Sequence, residues 1–142
     1  LDRSASSNLH ALADAKGVYV ADLTVAILDR PRHEALIAEV RKAGARVRLL
    51  TDGDVAPAIA TAKPDSGIDM LLGTGGSLQG ILTAAAIRCS GGDMQARLRP
   101  RTAQEAEQLR ASGIADLQAR YRLDEMASGS IMFAATGVTN GD

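Results

Sequence analysis

Aromatic side chains make up only 2% of this 142-residue chain: Tyr19, Tyr121 and Phe133, with no tryptophan. So few rings leave no platform for stacking unpaired bases and no aromatic anchors for a protein interface. Charge of one sign is lacking too, since 16 Lys and Arg face 17 Asp and Glu for a net charge of −1. Without a basic surplus there is no electrostatic footprint for a phosphate backbone, and a nucleic-acid partner is not expected. The single cysteine, Cys89, forms no internal disulfide, and with only His10 and His33 beside it there is no zinc-ligand spacing. That usage fits a reducing, cytoplasmic setting. No apolar run approaches the roughly 20 residues of a membrane-spanning helix, so no membrane partner is expected, and Leu1-Asp2-Arg3 is not a signal-peptide start. There is no initiator Met, and Thr139-Asn140-Gly141-Asp142 reads as the middle of a loop, so the chain is expected to be a piece of a longer protein.

What is present is the composition of a globular domain, 46% hydrophobic and 23% charged with a mean hydropathy of −0.01. Residues 1–142 are expected to form one α/β domain. Ser6-Ser7-Asn8 supplies helix caps and Leu9, Leu12 and Ala13 one apolar face, which predicts a helix over about 7–16 ended by Gly17. Thr24-Val25-Ala26-Ile27-Leu28 is continuously apolar and β-branched, as in a strand covered on both faces of a parallel sheet. Pro31 suits a first helical turn, and Ala35, Leu36, Ile37 and Val40 recur at helical spacing up to Gly44. Arg46–Leu50 then completes a β-α-β unit.

The cycle repeats with a short helix near 54–62, a strand over Ile68–Leu72 and an Ala-rich helix over Leu78–Cys89. Further strands are predicted over Met94–Leu98 and Ile131–Ala135, a short strand or extended piece over Arg120–Leu123, and a helix over Thr102–Ala111. The fold expected is a layered α/β sandwich, its sheet mixed but mostly parallel, with helices on both faces. Lys63-Pro64-Asp65-Ser66-Gly67 reads as a loop rather than a domain boundary.

Right-handed crossovers put the loops that follow parallel strands on one edge, where open α/β sheets bind ligands. Three such loops carry the chemistry. Arg30 and Arg32 flank Pro31 at a helix start, so two guanidinium forks and free backbone donors could face one phosphate. The plain alternative for each arginine taken alone is a solvated loop. His33 reads as a packing or surface residue more readily than as an acid or base. Asp52-Gly53-Asp54 brings two carboxylates to a sharp turn, suited to sugar hydroxyls or a hard cation, although Asp54 could simply cap the next helix.

Gly73-Thr74-Gly75-Gly76-Ser77-Leu78-Gln79-Gly80 exposes backbone amides at a helix start. It is neither a dinucleotide fingerprint, since Leu78 stands where the third glycine belongs, nor a P-loop, since no Gly-Lys-Ser/Thr follows. Cys89 reads as a buried small residue. The basic clusters Arg41-Lys42 with Arg46 and Arg48, and Arg97, Arg99 and Arg101, read as solvated faces.

With these residues in hand, Leu23-Thr24-Val25-Ala26-Ile27-Leu28-Asp29-Arg30-Pro31-Arg32-His33 resembles the class II, GlpX-type fructose-1,6-bisphosphatases. The likeness continues through Gly44-Ala45-Arg46-Val47, Asp52-Gly53-Asp54-Val55-Ala56, Gly73-Thr74-Gly75-Gly76, Gly91-Gly92-Asp93-Met94-Gln95-Ala96-Arg97-Leu98 and Ile131 to Asp142. It implies the C-terminal half of a lithium-sensitive phosphatase superfold, oligomeric when complete. It also implies a magnesium- or manganese-dependent hydrolase of fructose 1,6-bisphosphate, and of sedoheptulose 1,7-bisphosphate in photosynthetic bacteria, serving gluconeogenesis and the Calvin cycle.

By the same resemblance the Arg30-Pro31-Arg32 loop grips a substrate phosphate, Asp52-Gly53-Asp54 holds sugar hydroxyls and Gly76 approaches through its backbone. The family pattern Gly-Gly-x-Pro-Glu-Gly, whose Glu ligates the catalytic cation, reads Gly-Gly-Ser-Leu-Gln-Gly here, so Gln79 stands at a metal-ligand position without its charge. Most of the family's metal ligands lie in an N-terminal half outside this chain. At most weak sugar-phosphate affinity and no turnover are therefore expected of this chain, and the alternatives are a non-catalytic sugar-phosphate module or a half-protein that needs a partner.

Overall fold

The computed structural model describes residues 1–137. Helix α1 (Ala5–Lys16) begins before the expected position because Ser4, not a later serine, is its N-cap, the Ser4 hydroxyl accepting from the Ser7 amide at 3.1 Å. Strand β1 (Thr24–Leu28) leads through a 3-10 turn (Pro31–His33) into α2 (Glu34–Lys42), and β2 (Arg46–Leu50) follows. Next come α3 (Val55–Ala60), β3 (Met70–Leu71) and α4 (Ser77–Ser90). Although β3 is short, amides on either side continue its pairing, Asp69 donating to Thr24 and Leu72 to Ala26.

The three strands form a parallel sheet in the order β2-β1-β3, with Thr24 opposite Arg46 and Val25 opposite both Val47 and Met70. From β1 the chain steps to one side, then returns past β1 to reach β3. Two right-handed crossovers in opposite directions put α2 and α3 on opposite faces of the sheet. The central strand is covered on both faces as its continuous apolar run implies, Val25, Ala26 and Ile27 each being 0% exposed. Val25 and Ile27 share one core with Leu9, Leu23, Ile37 and Val40, while α3 packs on α4 and on β3.

Arg46 and Arg48 lie exposed on β2, an outer strand of the sheet among the described residues, the solvated face expected of that cluster. At the beginnings of β1 and β3, the Asp69 carboxylate accepts from the Thr24 amide at 2.7 Å and pairs with Lys16. Partial burial pushes the Asp69 carboxyl up, but the Lys16 hydrogen bond, the Thr24 amide and the nearby cations together hold it below the usual aspartate range.

The later strands depart from expectation. β4 (Gln95–Ala96) and β5 (Tyr121–Arg122) pair antiparallel with each other as a separate two-stranded ribbon and do not extend the parallel sheet. Between them runs α5 (Ala103–Ala111), capped by Thr102, and after them the short α6 (Leu123–Met126), which packs on α4. Asp2 ties the N-terminus to both sides of the ribbon by bonding Arg97 and, at 3.2 Å, Arg120.

Ile131–Ala135 is not a strand. Ile131 and Phe133 are half-buried and Met132 is 96% exposed, so the two-residue alternation is there, but no neighbouring strand pairs with it among the described residues. Val138-Thr139-Asn140-Gly141-Asp142, the end of the last family block, lies outside the described residues. Cys89 is exposed rather than buried, because it sits in the final turn of α4 between exposed Arg88 and Ser90. Among the described residues no helix is long and apolar enough to cross a membrane.

Candidate functional site

Because β1, β2 and β3 are parallel, the segments after Leu28, Leu50 and Leu72 all emerge at the same edge of the sheet. Between them is an open cleft of about 530 Å³, within the range of small-ligand sites. The first loop lines it with Arg30 and Arg32, the second with Asp52, Gly53 and Asp54, the third with Gly75 and Gly76, and the first turn of α4 with Gln79. Every site residue singled out from the sequence borders this cleft except Pro31, which opens the 3-10 turn and holds the two arginines apart.

The arginines are held differently. Arg30 donates through Nη1 to the Asp29 carbonyl at 2.8 Å, and its Nη2 lies 3.6 Å from Asp52 Oδ1. The Asp52 side chain is 94% exposed, so this pair is screened and readily exchanged for a ligand anion. Arg32 places both Nε and Nη2 on one acceptor, the carbonyl of Thr74, at 3.0 and 2.8 Å. Among the described residues Nη1 of Arg32 has no protein partner, so one donor edge is left for a ligand.

Asp52 also accepts from the Gly53 amide at 2.9 Å, and Gly53 takes the φ of +73° that this tight turn requires. Asp54 occupies the N-cap position of α3 but makes no capping hydrogen bond, so capping does not occupy its carboxylate. Its Oδ2 lies 2.8 Å from where a Cβ on Gly75 would stand, which keeps the third loop free of a side chain there. Gly76 is the N-cap of α4 and has no side chain of its own to offer, while the Gln79 amide oxygen folds over it where a Cβ would otherwise sit. The third side of the cleft is thus the start of a 14-residue helix, at the partial positive end of the helix dipole.

Two cations, two carboxylates and a helix N-terminus suit a ligand that is both anionic and rich in hydroxyl groups. Guanidinium forks take phosphate oxygens, and carboxylates accept from sugar hydroxyls. Gln79 supplies an amide oxygen without charge. Among the described residues no group of three or more His, Cys, Asp or Glu side chains is placed to hold a metal ion. A second hollow, about 460 Å³, lies at the opposite edge near Lys16, Thr24, Arg46, Lys63 and Asp69. Of its three lining cations, Lys16 and Arg46 are engaged internally, with Asp69 and the Asp22 carbonyl.

One member of the cleft's framework was not evident as such in the sequence. His33, 2% exposed, bonds the Leu28 carbonyl through Nδ1 at 2.8 Å and accepts from the Thr74 amide through Nε2 at 2.9 Å. Of the surface and packing readings of this histidine, its burial agrees with packing; its two partners lie on different segments and nothing local announces the second.

The whole chain, residues 1–142, matches the family model described as bacterial fructose-1,6-bisphosphatase, glpX-encoded. A relative from Synechococcus sp. (strain JA-3-3Ab), named D-fructose 1,6-bisphosphatase class 2/sedoheptulose 1,7-bisphosphatase, is 39% identical over 155 aligned positions covering 100% of this chain. A protein of the same name from Synechocystis sp. (strain ATCC 27184 / PCC 6803 / Kazusa) is 40% identical over 99% of it. The chain spans somewhat less than half, 45%, of the length of each of these relatives. Matched by the family model along all 142 residues, the chain belongs to the glpX-encoded bacterial fructose-1,6-bisphosphatase family.

Proposed function

We propose that residues 1–142 act as a single substrate-binding unit of a sugar-bisphosphate phosphatase. The observation that carries this reading is the meeting of Arg30, Arg32, Asp52, Asp54 and Gly76 on one cleft from three separate loops. In this proposal Arg30 and Arg32 clasp one phosphate, Pro31 spaces them, and Asp52, Gly53 and Asp54 orient the sugar by accepting from its hydroxyls. The Gly76 backbone and the start of α4 approach from the third side. The substrate class is fructose 1,6-bisphosphate, with sedoheptulose 1,7-bisphosphate, named in both relatives, as the second ligand to test. The working compartment proposed is the cytoplasm, in keeping with the single unpaired cysteine, and the assembled enzyme is proposed to be a homo-oligomer.

Phosphate-ester hydrolysis of this kind needs cations that activate water and offset charge on the phosphoryl oxygens, for which magnesium or manganese is proposed. The described residues do not fit such a site. Gln79 at the family's ligand position brings no charge, and among the described residues no third His, Cys, Asp or Glu joins Asp52 and Asp54 in a group placed to hold a metal ion. No catalytic step is therefore assigned to this chain, whose part is to bind and orient. The same two observations favour, as a second reading, a sugar-phosphate-binding module without catalysis.

The purified chain is expected to bind fructose 1,6-bisphosphate in a calorimetric titration and to release no phosphate from it in the presence of magnesium or manganese. Absence of binding contradicts the proposal, and phosphate release by these residues alone contradicts the division of labour. An assay of the reading frame that carries this sequence separates the two readings, since turnover there supports the enzyme and binding without turnover supports the module.

A further inference from the structure

Thr74 sits in a run with Gly73 on one side and Gly75 and Gly76 on the other, a backbone with many accessible conformations and a correspondingly high cost of ordering. Yet both polar groups of Thr74's backbone are engaged. Its amide donates to His33 Nε2 at 2.9 Å, and its carbonyl receives Nε and Nη2 of Arg32.

His33 is itself fixed from the other side, its Nδ1 lying 2.8 Å from the Leu28 carbonyl at the end of β1. A carbonyl only accepts and a backbone amide only donates, so the ring carries its proton on Nδ1 and presents the Nε2 lone pair to Thr74. Gly73 closes the arrangement. A Cβ there would lie 3.1 Å from His33 Cε1 and 3.2 Å from Nε2, at a φ of +153° that L side chains rarely adopt.

The geometry points to His33 as a positioning residue for Arg32, acting through the Thr74 peptide. The buried ring pins a glycine-flanked loop to the end of the central strand, and the pinned carbonyl then holds two of the guanidinium's donors, so that Nη1 is presented to the cleft already oriented. Pre-ordering of this kind removes part of the entropic cost of gripping a ligand anion. The role of Arg32 in holding phosphate rests on the function proposed above, whereas the coupling of His33 to Arg32 does not.

Two measurements on the full chain test this. In the unliganded protein, the Arg32 Nε–H should give a distinct, slowly exchanging nitrogen-proton resonance, and His33→Asn should collapse it into the envelope of free arginines. Gly73→Ala, which keeps the imidazole but crowds it, should do the same. An Arg32 signal unchanged in folded His33→Asn and Gly73→Ala proteins overturns the inference, whatever the chain binds.

The second measurement is a double-mutant cycle with fructose 1,6-bisphosphate as the probe. His33→Asn is expected to weaken binding by about 5- to 10-fold when Arg32 is present, and to have little further effect on Arg32→Ala. Independent, multiplying losses contradict a route through Arg32. Failure of the unaltered chain to bind the sugar counts against the proposed function alone, because the Arg32 resonance still decides the coupling.

Discussion

Alanine at position 32 should weaken binding of fructose 1,6-bisphosphate by roughly 10- to 150-fold, the loss expected when a charge-assisted hydrogen bond worth about 1.5–3 kcal/mol is removed. Arg32 is the better placed of the two arginines. Its Nε and Nη2 are already spent on the Thr74 carbonyl, so the remaining donor edge is oriented before a ligand arrives. Arg30, by contrast, must exchange its 3.6 Å contact with Asp52 for the ligand, and its alanine variant should lose less. Arg32→Lys keeps the charge but cannot hold the carbonyl with two donors, and should fall between wild type and alanine. Arg32 is exposed, so none of these changes should alter thermal stability much. A dissociation constant unmoved by Arg32→Ala in calorimetric titration contradicts the assignment.

Ile27→Ala should destabilise the chain by about 2–5 kcal/mol, through lost burial and the cavity left behind. Ile27 is fully buried on the central strand, in one cluster with Leu9, Leu23, Val25 and Val40. Against a total stability of roughly 5–15 kcal/mol for a domain, that is a large fraction. The melting temperature should drop by about 5–20 °C. The control is Leu78→Ala on α4, a residue 77% exposed, where a change within about 0.5 kcal/mol is expected. Equal melting temperatures for the two variants would mean that β1 is not the centre of the core. Because β1 also carries the Leu28 carbonyl that anchors His33, weakening the core is expected to loosen the cleft as well.

The parallel sheet was legible because its strands are local and strongly marked. Thr24–Leu28 and Arg46–Leu50 have the bounds that the sequence predicts, and a parallel pair is what a β-α-β spacing requires. The shared edge of the three loops followed from crossover handedness rather than from any single motif, which is why residues from 30 to 79 could be placed on one cleft. Ile131–Ala135 has the two-residue alternation of a strand, but a strand exists only when a neighbour completes its hydrogen bonds, and alternation says nothing about the neighbour. The separate β4-β5 ribbon is a similar case, since pairing between Gln95 and Arg122 is invisible in either segment alone.

His33 shows the same limit within the site. Its link to Thr74 spans 41 residues and depends on two loops already being in place. Cys89 was misplaced for a simpler reason: an Ala-rich helix does not declare which face is covered, and in the last turn of α4 the residue is exposed, its thiol 3.8 Å from the Ile131 carbonyl. Asp54 shows that position does not settle use. It stands at the start of α3, where a capping bond is ordinary, but its carboxylate lies beside Gly75 and lines the cleft.

The most direct test of the central claim, that three strand-end loops jointly hold a sugar bisphosphate, is a residue-resolved nuclear magnetic resonance titration with fructose 1,6-bisphosphate. Amides of Arg30, Arg32 and His33 and of residues 52–55 and 73–79 should shift together along one saturation curve, while those around Lys16, Lys63 and Asp69 at the opposite edge stay in place. Shifts confined to one loop, or centred on the opposite edge, would contradict it.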